Sequence, residues 1–216
     1  MMFSLAKDLM ESTRLWRIVQ RMPKGSLLHG HLDAMVDFGY VFGVLLATPG
    51  IHVAAPEPLS TPAARAETIL KFRFRTETAS DGAGDIWGDD YVPGTFVLLT
   101  AAADRFPDGG REGFVRWLRS RCTISQTDSV EQHHGVDEVW QKFIKCFRMV
   151  GSIIHYEPIF RAFLQRLMGS LHDDGINWIE MRCVTICSRA LHAKNGWTTR
   201  PYMPLFLDSG NCPLTW

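Results

Sequence analysis

Near the amino terminus, Leu5, Leu9, Trp16 and Val19 fall near one face of a helical run over residues 4–21, with Pro23 just beyond its end. Met22, ahead of that proline, is biased toward extended backbone, and "SLLHGHLD" (26–33) predicts a short buried strand. A helical run over about 34–47 follows. From Thr48 to about Asp90 periodicity fades. Pro49, Pro56, Pro58, Pro62 and the Gly/Asp-rich "SDGAGDIWGDD" predict a mobile connecting segment with a solvated acidic loop. The helical pattern returns weakly through "FVLLTAAADRF" and around Phe114, Trp117 and Leu118. It is strongest at Val136, Val139, Trp140, Phe143, Ile144, Phe147 and Val150. A further helix begins near Pro158, carries Ile159, Phe163, Leu167 and Leu171 on one stripe, and stops at Gly175. "INWIEMRCV" (176–184) predicts a second buried strand, and after Thr185 no sustained pattern remains.

Strand, long helical excursion, strand is the rhythm of an α/β protein with parallel strands. The 216 residues, 46% hydrophobic and 21% charged, suit an ordinary globular domain. Lys plus Arg and Asp plus Glu both number 23, so no global field draws in nucleic acid or an anionic membrane. The most apolar stretch, "YVFGVLLATPG", ends too soon for a bilayer span, and Lys7, Asp8, Glu11 and Arg14 interrupt any export signal at the start. Five scattered cysteines without a C-x-x-C pair predict buried free thiols, compatible with the cytoplasm.

Candidate chemistry concentrates in the first strand. Residues i, i+2 and i+4 of a strand share a face, so His29, His31 and Asp33 project together while Leu28, Gly30 and Leu32 face away. Neutral imidazole is a common zinc ligand, and a catalytic zinc keeps three protein ligands and an open position. The spacing alone leaves two readings open: half of a metal site, or two histidines hydrogen-bonded in a polar cleft.

The surrounding residues add to this. Met22-Pro23-Lys24 followed by Leu28-His29-Gly30-His31-Leu32-Asp33 resembles the opening motif of the adenosine deaminase family, within the metal-dependent hydrolases. "FRF" (72–74), "FPDGGREGFVRWLRSRC" (106–122), "VWQKF" (139–143), "IIHYEPIFR" (153–161) and "DGINWIEMR" (174–182) resemble, in the same order, its adenosine-deaminase-related growth factor branch. The resemblance implies an N-terminal fragment of a (β/α)8 TIM barrel, helix-rich, with residues 1–185 as a partial deaminase-like domain. An inserted irregular region after strand one would cover about 48–135, and 186–216 would be an unpatterned tail outside the match.

It further implies that His29 and His31 are zinc ligands, that Asp33 helps bind the nucleoside sugar and that Trp140 lines the substrate site. By its spacing alone, Trp140 is a core position on its helix. The implied reaction is hydrolytic deamination of adenosine or deoxyadenosine, zinc lowering the pKa of a bound water and a glutamate moving protons. Homodimerisation is a further implication. The phrases that would carry that glutamate and the later histidines do not occur in this chain, so its catalytic residues are unassigned. Two functional expectations follow: an incomplete zinc deaminase, inactive alone, or a non-catalytic module acting through protein contacts. Members of the branch are commonly secreted, so an extracellular setting is open for full-length relatives.

Overall fold

The computed structural model describes residues 3–75, 82, 84–125, 128, 135–154, 156–182 and 204–206. The expected single helix over 4–21 is two: α1 (Phe3–Glu11) and α2 (Arg14–Arg21). Hydroxyl chemistry makes the break. Ser12 Oγ and Thr13 Oγ1 donate to the carbonyls of Leu9 and Met10, both at 2.7 Å, closing α1. Thr13 is extended and its Oγ1 accepts from Trp16 N at 3.1 Å, capping α2. α2 buries none of its residues; Leu15, Ile18, Val19 and the following Met22 form an exposed apolar face.

β1 (Leu27–His31) runs into a single 3-10 turn, Leu32–Ala34, and Asp37 then caps α3 (Phe38–Ala47) by accepting from Tyr40 N at 3.2 Å. The stretch expected to be irregular is folded. It contains β2 (Ile51–Ala54), α4 (Pro62–Glu67), β3 (Lys71–Phe74), β4 (Val97–Leu98), α5 (Leu99–Asp104) and α6 (Gly110–Cys122). β2 lies between β3 and β4, antiparallel to both, and all four of its residues are buried. Strands of two to four residues are too short to show an alternation, which is why the pattern looked empty. The acidic loop is not simply solvated either, because it carries Ile86, Trp87 and Tyr91 into the core. Trp87 Nε1 donates to Ala102 O at 2.7 Å and its ring meets Phe106 at 4.9 Å and Trp117 at 5.6 Å.

The two longest helices, α7 (Val136–Ile154) and α8 (Glu157–Asp173), follow the periodicity, and Gly175 ends the second run with φ +76°. β5 (Trp178–Arg182) returns to pair with β1 in parallel, and β6 (Pro204–Phe206), in the tail expected to be unpatterned, pairs antiparallel to β5. The fold is therefore α/β and helix-rich, with two small sheets ordered β1-β5-β6 and β3-β2-β4. The parallel pair is compatible with a piece of a (β/α)8 barrel, but the described residues hold no closed barrel.

One hydrophobic cluster joins α3, α7, α8 and both sheets, with Leu32, Leu45, Phe114, Met149, Ile153, Phe163 and Ile179 all at most 1% exposed. Arg166 of α8 reaches Asp37 at 3.1 Å, tying α8 to the start of α3. Among the described residues no helix is long and apolar enough to cross a membrane. Cys122 and Cys146 are free and buried, as the scattered spacing predicts; Cys183, Cys187 and Cys212 lie outside the described residues.

Candidate metal half-site

Strand β1 presents His29 and His31 on one exposed side and turns Gly30 inward. Gly30 is closely packed: a Cβ there would stand 2.9 Å from Met35 Sδ and 3.4 Å from Leu27 Cδ2, so the Met35 side chain would have to shift. The pairing register explains a departure from simple alternation. Leu27 faces Ile179 and Gly30 faces Met181, so β1 spends one residue more than β5 over this interval. Such an irregularity re-aims side chains. It leaves Leu28 60% exposed while Leu32 is 1% exposed, against the expectation that the two share one face of the strand.

The two imidazoles converge. His29 Nε2 lies 2.9 Å from His31 Nε2, with ring centroids 4.9 Å apart and planes at 56°. At that distance one ring nitrogen donates a hydrogen bond to the other, the hydrogen-bonded arrangement that spacing left open. Two nitrogens on one tetrahedral zinc, each at about 2.0–2.1 Å from the metal, stand about 3.3 Å apart. The pair is therefore within roughly 0.4 Å of a chelating geometry, through the ring nitrogens a metal would use. Among the described residues no group of three His, Cys, Asp or Glu gathers as a metal cage, so the residues fit a metal as two ligands of a larger set.

Asp33 is not on the strand. It lies in the 3-10 turn, so its direction follows the turn rather than the i+4 rule. It is half-buried, and burial pushes its carboxyl above the ordinary carboxylate range, with His31 opposing that shift.

Trp140 is not in the core; it is 56% exposed. The buried part of α7 begins only at Cys146, and the first turns of the helix extend past the packed body. The structure nevertheless links Trp140 to the histidines. Its ring stacks on Phe143 at 5.3 Å, Phe143 meets Phe147 at 4.8 Å, and Phe147 meets His31 edge to face at 6.4 Å and 78°. Phe143 and Phe147 were not singled out from sequence as site residues. The signal was present, since Trp140, Phe143 and Phe147 share a helix face at i, i+3 and i+7, but a stripe of that kind reads as core.

The other described histidines, His52 and His172, stand apart from the pair. His52 is fully buried in β2, its Nδ1 3.0 Å from Gly50 O. His172 is exposed beside Asp173. His133, His134, His155 and His192 lie outside the described residues.

No family model matches the chain. It is 25% identical to an adenosine deaminase of Phlebotomus duboscqi over 175 residues, 81% of this chain and 30% of that protein. It is 26% identical to an adenosine deaminase of Lutzomyia longipalpis over 171 residues, 79% of this chain and 30% of that protein. It is 25% identical to human adenosine deaminase 2 over 205 residues, 94% of this chain and 36% of that protein. The chain thus spans about a third of the length of the curated relatives it matches. Collinear phrases in the sequence and these matches agree, and over most of its length the chain is a homologue of the adenosine deaminases.

Proposed function

We propose that the chain supplies the first-strand part of a zinc-dependent adenosine deaminase site, acting on adenosine or deoxyadenosine. The carrying observation is the approach of His29 and His31 through their Nε2 atoms at 2.9 Å. His29 and His31 hold the zinc, whose chemistry when bound is to make a water acidic enough to act as nucleophile at neutral pH. Asp33, beside His31 at the mouth of the strand, accepts a hydrogen bond from a sugar hydroxyl. Trp140, at the exposed end of the aromatic row, offers a face on which a purine stacks. On this reading β1 and β5 are neighbouring strands of a (β/α)8 barrel, whose chemistry gathers at the strand ends, where His31 stands. Among the described residues no third ligand joins the two histidines; on this reading the chain by itself does not turn over adenosine.

Titration of the chain with Zn2+, alongside His29→Ala and His31→Ala, tests the assignment. One zinc per chain, lost in either variant, with adenosine turnover no greater than that of the variants, is the expected result. Zinc binding unaffected by both substitutions removes the metal role; turnover that depends on zinc and on both histidines removes the claim of inactivity.

A second reading, a module acting through protein contacts, draws on α2. Its exposed Leu15, Ile18, Val19 and Met22 line one side while Arg14, Arg17 and Arg21 occupy the other. Loss of self-association or partner binding in a Leu15→Glu/Ile18→Glu variant, with zinc binding intact, would favour it.

A further inference from the structure

A metal-ligating histidine ordinarily has its orientation fixed by a hydrogen bond from the second ring nitrogen to a carboxylate, a backbone carbonyl or a water. Among the described residues the His31 ring makes no hydrogen bond other than the one to His29. The ring is exposed, on a strand whose only described neighbour is β5. Its second restraint is aromatic: Phe147 meets it at 6.4 Å with planes at 78°. Phe147 is half-buried on α7, between the buried Cys146 and Met149, so it is anchored where Trp140 is not.

We infer that Phe147 is a positioning residue, its edge-to-face contact setting the plane of the His31 imidazole so that Nε2 points at the Nε2 of His29. His29 alone cannot do this, because a single hydrogen bond leaves the acceptor ring free to tilt about it. Phe147 closes the remaining freedom through its edge-to-face contact. Phe143 in turn backs Phe147 at 4.8 Å and 73°, so the restraint passes along α7 and is not a lone contact. The inference rests on the metal reading for its functional meaning, but the geometry it concerns is that of the chain's own side chains.

The test uses Phe147→Ala and Phe147→Tyr in the full chain, with two measurements. Side-chain NMR of the metal-free protein reads the His31 ring protons directly, and titration with Co2+ reads ligation by absorbance. In Phe147→Ala the His31 ring protons shift as the aromatic ring current disappears, those of His29 move less, and Co2+ affinity falls by about tenfold. Phe147→Tyr, which keeps the ring, restores both, and an unchanged far-UV circular dichroism spectrum separates positioning from unfolding. Unmoved His31 resonances in Phe147→Ala, or unchanged Co2+ affinity in a protein that binds through His31, would overturn the inference. A wild-type chain whose Co2+ binding ignores His31→Ala would instead overturn the metal reading, and the His31 resonances would still decide whether Phe147 holds the ring.

Discussion

Asp33 shows how a single residue can be read correctly in kind and wrongly in place. The "HLD" spacing put it on the histidine face of a strand, whereas the chain leaves the strand at His31 and Asp33 sits in the following turn. Its raised carboxyl pKa, caused first by burial, has a measurable sign. Between the ordinary carboxylate value and the raised one, the folded protein keeps a proton that the unfolded chain has released, so stability falls as pH rises through that window. Asp33→Asn removes the penalty. It is expected to be more stable than the wild type at neutral pH, with the difference vanishing below the ordinary carboxylate range; urea midpoints measured across pH would show it, and equal midpoints at neutral pH would contradict it. His29 and His31 were legible because alternation in a strand is local. Phe147 was legible only as one of a helix stripe, because spacing within a helix does not show which distant residue, here His31 more than a hundred positions away, the stripe meets.

At the scale of elements, long amphipathic helices were readable and short pieces were not. α7 and α8 carry enough turns for their stripes to stand out. α1 and α2 share one continuing stripe, yet two hydroxyl side chains at Ser12 and Thr13 divide them by bonding backbone carbonyls. The β3-β2-β4 sheet was missed because its strands are shorter than a recognisable alternation. Its entry is nonetheless specified, by Gly50. That residue has φ +79°, its carbonyl accepts from Arg75 N at 2.8 Å, and a Cβ there would run into the Arg75 carbonyl oxygen. Gly50→Ala is therefore expected to cost more than about 1 kcal/mol, through both the left-handed backbone and the clash. Chemical denaturation gives the magnitude, and faster amide exchange at Ile51 to Ala54 than in α8 would locate the damage.

For the whole molecule, the core is one cluster spanning both sheets and the central helices, and Phe114 lies fully buried in it beside Trp87 and Phe106. Phe114→Ala should lower stability by about 3–5 kcal/mol, shifting the urea midpoint of the α6 region and of α8 together if the cluster is one cooperative unit. Two separate transitions would show that the sheets unfold independently. The α/β class and the parallel β1–β5 pairing were legible from the order of elements. The antiparallel β5–β6 pairing was not, since nothing in the residues around Pro204 announces a strand.

The parallel pair also carries a consequence for biosynthesis. Leu27 pairs with Ile179, so the strand bearing both histidines waits for a partner translated roughly 150 residues later, about 8–30 s at ordinary ribosome speeds. β2, β3 and β4 emerge well before that and can close among themselves. The histidine strand thus spends much of translation with both edges unpaired, the interval in which a nascent chain of this kind is most open to a chaperone or to mispairing with its own copies.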